Sequence, residues 1–85
     1  MNYKIEIVVK RKEGVADPEG NTIYEALARL GYRDVNSVRV AKLFIIEVES
    51  NNPENAKILS NEIAEKVLTN PVIENFEILD MAEII

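Results

Sequence analysis

Along residues 3–9, apolar and polar side chains alternate. Tyr3, Ile5, Ile7 and Val9 fall on one face, and Lys4, Glu6, Val8 and Lys10 on the other. A period of two is the signature of a half-buried strand. Lys10-Arg11-Lys12-Glu13-Gly14 reads as its polar exit. The period then lengthens: Ile23, Leu27 and Leu30, with Ala26 beside them, recur at helical spacing between Asp17-Pro18 and Gly31. Asp is a good N-cap, proline fits the first helical turn, and glycine fits the left-handed position after the last. A helix is expected over about residues 18–30.

From Val35 to Glu49 the chain reads VNSVRVAKLFIIEVE, rich in β-branched residues. Val38 and Val40 share a face with Phe44, Ile46 and Val48, but Lys42 interrupts it. A kink, bulge or tight turn is expected at Ala41-Lys42, leaving open one bent strand or two short ones. Leu43 and Ile45 would then lie on the face away from the core. Asn52-Pro53-Glu54 repeats the cap-then-proline start. Ala56, Leu59, Ile63 and Val67 follow at spacings of three and four and predict a helix to about Thr69, where Asn70-Pro71 ends it. Phe76 and Ile78 mark a last strand. The apolar end, Met81 to Ile85, is expected to dock on a neighbour.

Residues 1–85 therefore read as a single α+β domain of β-α-β(β)-α-β, ferredoxin-like order. Two helices are expected on one face of a mainly antiparallel sheet, in a two-layer sandwich. At this length the core is small, and with no cysteine to staple it, oligomerisation is the expected way to enlarge it. The chain carries a net charge of −5, unevenly spread. Eight Lys/Arg face six Asp/Glu through residue 42, whereas two lysines face nine acids after it. An acidic balance and only five aromatics argue against nucleic acid. No secretory pattern or apolar run long enough to span a membrane is present, so a cytoplasmic location and no membrane partner are expected.

The glycines before the first helix raise the question of a phosphate-binding loop, since helix N-termini attract anions. Gly20 is followed by Asn21-Thr22 rather than Lys-Ser/Thr, and Gly14 and Gly20 are too far apart for a dinucleotide fingerprint. Asp17 and Glu19 place negative charge where the anion would sit. Turn and close-packing roles fit these glycines better. Neither histidine nor cysteine occurs, so the usual nucleophile–base pairs cannot be built, and Ser37, Ser50 and Ser60 have no imidazole to activate them. Glu62, Glu65, Glu74 and Glu77 read as solvated charge. No catalytic residue, cofactor site or metal site is expected.

The residues themselves carry a further signal. Lys12-x-Gly14-Val15-x-Asp17-Pro18-x-Gly20, then Ala26-Leu27-x-x-Leu30-Gly31-Tyr32, then Val38-Arg39-Val40-x-Lys42 closely resemble the PurS family. So does the stretch from Leu68 to Ile78, LTNPVIENFEI. The resemblance covers nearly the whole chain in order. One departure is Ala41, where that family commonly has glycine. PurS is the small subunit of phosphoribosylformylglycinamidine synthase, which converts formylglycinamide ribonucleotide, glutamine and ATP to formylglycinamidine ribonucleotide, glutamate, ADP and phosphate.

The resemblance implies a non-catalytic bridge in purine biosynthesis. A glutaminase subunit, PurQ, would release ammonia, and a synthetase subunit, PurL, would use ATP and Mg²⁺, with this chain joining the two and aiding ammonia transfer. A homodimer or homotetramer is implied. From motif position and exposure, Arg39, Lys42, Leu43 and Ile45 are the candidate contacts between copies. Gly14, Asp17, Pro18, Gly20, Asn70, Pro71 and Glu74 are the candidate contacts with the larger subunits. The alternative is a ferredoxin-like regulatory module that binds a small metabolite.

Overall fold

The computed structural model describes residues 1–85 as three strands, two helices and a short π-helical turn. In chain order these are β1 (Asn2–Arg11), α1 (Pro18–Arg29), β2 (Ala41–Glu49), α2 (Pro53–Ile63), the π turn (Ala64–Leu68) and β3 (Glu74–Ile84). The sheet order is β2-β1-β3, with β1 antiparallel to both neighbours. The α+β class and antiparallel sheet match the expectation, and residues 35–49 supply one strand rather than two.

The expected break at Ala41-Lys42 is where β2 begins. Residues 35–40 stay outside the sheet, and the backbone turns into the ladder where Lys10 pairs with Ala41. No residue other than glycine takes a positive φ, so Ala41 needs no left-handed backbone. Alternation along β2 then does what the pattern foretold. Val48 is buried and Phe44 and Ile46 half-buried on the inner face, while Leu43 and Ile45 stand 53% and 59% exposed on the outer one.

β3 contains a bulge that the alternation alone hides. Ile7 pairs with Ile78 and Glu6 with Asp80, so Leu79 is an extra residue on β3. One inserted residue switches the parity of everything after it. Met81, opposite Ile5, thereby returns to the inner face beside Phe76 and Ile78. The apolar C-terminus is consequently part of the ladder, Ala82 against Lys4 and Ile84 against Asn2.

The core is the inner face of β1, where Tyr3, Ile5, Ile7 and Val9 are almost fully buried, with α2 laid across it. The helix seats its small residues: Ala56, Ser60 and Ala64 are fully buried, and the Ser60 hydroxyl donates to the Ala56 carbonyl at 2.8 Å. Leu59 and Val67, expected in the core, turn outward, Val67 to 75% exposure. Large isoleucines and phenylalanines already fill the sheet side, so close packing calls for small side chains opposite. The π turn rotates the last residues, leaving Leu68 packed against the core and Val67 outside it.

α1 departs from the two-layer expectation. Its stripe is amphipathic as read, yet Gly20 is its one buried residue and none of its side chains joins the core cluster. Ile23 is 41% and Leu30 74% exposed. The molecule measures 52 × 29 × 14 Å, with a radius of gyration of 16.5 Å. A compact chain of this length has a radius near 12 Å. Within one copy, α1 and residues 31–40 form an arm rather than a cover for the sheet.

Candidate functional site

One end of the sheet gathers most of the residues singled out by the sequence. There β1 exits, β2 and β3 begin, and the arm is rooted. Asp17 holds the root. Its Oδ1 accepts from the Gly20 N–H at 2.9 Å, capping α1, and its Oδ2 accepts from the Val40 N–H at 2.8 Å, across 23 positions of chain. The side chain is buried. The Val40 and then the Gly20 hydrogen bond hold its carboxyl below the usual aspartate range, outweighing burial, with Arg11 and Arg39 assisting. Gly20 is required for closeness: a Cβ there would overlap the Val38 carbonyl oxygen and crowd Asp17. The glycine motif is thus a backbone clasp, as the turn-and-packing reading anticipated.

The loop from Lys12 to Asp17 turns at Gly14, φ +84°, and is tied to the second family motif. The Lys12 N–H donates to the Ile73 carbonyl at 2.8 Å. Asn70 to Glu74 closes on itself. The Asn70 carbonyl accepts from the Glu74 N–H at 2.8 Å, and Glu74 Oε1 accepts from the Asn70 N–H at 2.8 Å. Asn70 Oδ1 also accepts from the Val72 N–H at 3.1 Å, with Pro71 between. Two loops 55 or so residues apart in sequence are thereby joined at one edge of the molecule.

Two clefts open at this end. The smaller, about 50 Å³, brings together Asp17, Lys42 and Glu74 with Arg11 and Glu19. The larger, about 390 Å³, lies between the π turn and the start of β3 and is lined by Lys12, Glu65, Thr69 and Phe76, among others. Pro71 also lines the larger cleft; Gly14, Pro18 and Asn70 are exposed, and so is Arg39, next to the clasped Val40. Leu43 and Ile45 are not part of this end. They lie on the open outer face of the sheet, where Leu43 pairs with Val8 and Ile45 with Glu6.

Thr69 escaped the sequence reading. It is 9% exposed, and its hydroxyl has no hydrogen-bond partner. Its one sequence cue is its place just before Asn70-Pro71. Tyr3 likewise buries an unpaired hydroxyl, and burial, then the charges of Glu83 and Glu54, push its pKa up. Of the serines, Ser60 spends its hydroxyl on the Ala56 carbonyl and Ser50 on the Asn52 carbonyl. Carboxylates are plentiful, but no three are placed so that they could hold a metal ion. What this end offers chemically is a fixed set of backbone groups and solvated charges.

Comparison with known proteins places this geometry. Residues 4–81 match the family described as PurS, phosphoribosylformylglycinamidine (FGAM) synthase. The phosphoribosylformylglycinamidine synthase subunit PurS of Methanocaldococcus jannaschii is 42% identical over 76 residues, which are 89% of this chain and 92% of that protein. The crystal structure of M. jannaschii PurS superposes with a TM-score of 0.83 at 39% identity, covering 96% of this chain and 98% of the other. A chain in the structure of PurLQS from Thermotoga maritima superposes with a TM-score of 0.84 at 32% identity, covering 99% of each.

Proposed function

The chain belongs to the PurS family, and on that premise we propose that it is the small, non-catalytic assembly subunit of phosphoribosylformylglycinamidine synthase in purine biosynthesis. The likeness over 99% of both chains to a component of PurLQS carries the reading. The residue inventory supports it: a chain with no histidine, no cysteine and its buried serine committed to a helix carbonyl lacks the usual nucleophile–base pairs.

In this reading the glutaminase PurQ and the synthetase PurL do the chemistry, with ATP and Mg²⁺ at the synthetase. This chain holds them in register so that ammonia passes between them rather than into water. Its contribution is positional, which is how an assembly subunit raises effective concentration without touching a reacting atom. The clasped end, carrying Gly14, Asp17, Pro18, Gly20, Asn70, Pro71 and Glu74, is the surface assigned to the larger subunits. Its loops are locked by backbone hydrogen bonds and lose little freedom on docking. Arg39, Lys42, Leu43 and Ile45 are assigned to contacts between copies in a cytoplasmic homodimer or homotetramer.

The metabolite-binding alternative is less well supported, because the larger clefts are open troughs and the more enclosed one, about 50 Å³, is too small to take a metabolite. Sedimentation of the chain mixed with the synthetase and glutaminase subunits tests the proposal. A co-sedimenting complex is expected; three independent boundaries at micromolar concentration would refute it.

A further inference from the structure

Beside the clasp, the cleft of about 390 Å³ holds polar groups that the chain leaves without partners. The π turn contributes Glu65 and, at its end, Thr69; β3 contributes Glu74, Asn75 and Phe76. Thr69 is almost fully buried, and its hydroxyl has no hydrogen-bond partner. Buried polar groups are nearly always paired, so one left open beside a cleft calls for a partner from outside. We propose that this trough receives an arginine side chain carried on a loop of one of the larger synthase subunits. The inference rests on the assembly reading above and names the chemistry by which a partner is gripped.

Three observations select this occupant. The first is charge. Glu65 and Glu74 face one cation in the trough, Lys12, and none of the three is ion-paired. Lys66, next to Glu65 in the chain, is spent on Glu62 at 2.9 Å. A positive guest offsets the excess. The second is the arrangement of acceptors. Glu74 gives Oε1 to the Asn70 N–H and keeps its other oxygen free, and the Glu65 carboxylate and Thr69 Oγ1 are uncommitted. Thr69 has an extended backbone, φ −117° and ψ 135°, where more than one χ1 rotamer is common, so its hydroxyl can turn to the guest. Acceptors on both sides of a trough suit a guanidinium, with five donors in a fixed plane, better than an ammonium. The third is the apolar wall. Pro71 and the half-buried Phe76 offer a surface for the aliphatic stem and a ring for the guanidinium to stack on. A trough open along its length admits a side chain borne on a loop, and the Asn70–Glu74 turn is already closed by its own hydrogen bonds.

The test is titration calorimetry of the full chain against the synthetase and the glutaminase separately, at low and high salt. Glu65→Gln should weaken binding to one of the two on the order of 10-fold at low salt, with a smaller loss at high salt, because the lost attraction is partly screened there. Thr69→Val should weaken the same binding about 10-fold while leaving the free chain at least as stable as wild type, since it removes an unpaired buried hydroxyl. A purely structural threonine would show the reverse, altered stability with binding intact. Glu62→Gln removes the same charge from α2 outside the trough and should leave binding unchanged. Butanedione, which modifies arginine selectively, identifies the guest. At concentrations that saturate both complexes, an arginine of the bound subunit should be protected by the wild-type chain and not by Glu65→Gln.

Folded Glu65→Gln and Thr69→Val variants that bind both subunits as tightly as wild type would overturn the proposal. So would a complex in which no arginine owes its protection to Glu65, since the guest would then be of another kind. A change in the chain's own sedimenting mass on Glu65→Gln would give the trough to a second copy and overturn it equally. A wild-type chain that binds neither large subunit refutes the assembly reading and this proposal with it, whereas wild-type binding that the variants leave untouched refutes the trough alone.

Discussion

The carboxylate of Asp17 accepts a hydrogen bond from the Val40 N–H at 2.8 Å, joining the start of the arm to the residue that enters β2. One side chain thus caps α1 and closes the arm's root. Both bonds favour the ionised form, so the folded-state pKa lies below the unfolded one. A depressed carboxyl contributes stability that is present above the unfolded value, near 3.8, and is lost as pH falls through the lower folded value. Asp17→Asn keeps one acceptor oxygen and loses the charge. Its urea midpoint is expected below the wild type's at pH 7, with the gap narrowing below about pH 4. Denaturation midpoints at pH 7, 5 and 3 check this.

Gly20 gives a second prediction, with the sign opposite to helix propensity. In a free helix Gly→Ala stabilises by about 0.5–1 kcal/mol. Here the new Cβ would overlap the Val38 carbonyl oxygen and crowd Asp17. Gly20→Ala should therefore destabilise by roughly 1–3 kcal/mol, as overpacking does. Chemical denaturation measures it, and a stabilised variant would show that the 38–40 segment does not press on the helix.

These two residues also show what the sequence could disclose. Asp17-Pro18 announced a capped helix because capping is local chemistry, read from adjacent residues. That Asp17 has a second partner at Val40 was not legible, since nothing in a one-dimensional pattern ties positions 23 apart. The outer placement of Leu43 and Ile45 followed from parity alone. The inner placement of Met81 did not, because a single bulge at Leu79 reverses parity without leaving a compositional mark. For α2 the reading took Ala56, Leu59, Ile63 and Val67 as the core stripe. Ala56 is buried and Ile63 packs against the core, but the sheet, already filled with large side chains, selected Ser60 and Ala64 in place of Leu59 and Val67. The exposure of α1 was hidden for another reason: an amphipathic stripe declares that it needs a partner and not which molecule supplies it.

The small-residue seat of α2 can be tested directly. Ala64 is fully buried against the sheet. Ala64→Leu is expected to destabilise by about 1–3 kcal/mol through overpacking. Val67→Lys, three positions on and outside the core, should change stability by no more than about 0.5 kcal/mol. Equal effects of the two in urea titration would place the helix in the rotation that its large residues favour.

On the outer face, Leu43→Glu with Ile45→Glu should leave the folded chain within about 0.5 kcal/mol of wild type, because both side chains already face solvent. Incorporation into the complex with the large subunits, or association between copies, should weaken. Sedimentation of the double variant, alone and in the mixture, separates those two effects, and unchanged behaviour in both would remove this face from the account.

The most direct test of an assembling subunit without chemistry of its own is glutamine-dependent formation of formylglycinamidine ribonucleotide by the synthetase and glutaminase subunits, assayed with and without this chain. The account predicts that omitting the chain abolishes the glutamine-driven reaction, and that ammonia supplied directly to the synthetase restores turnover. Full glutamine-dependent activity in its absence would contradict the account.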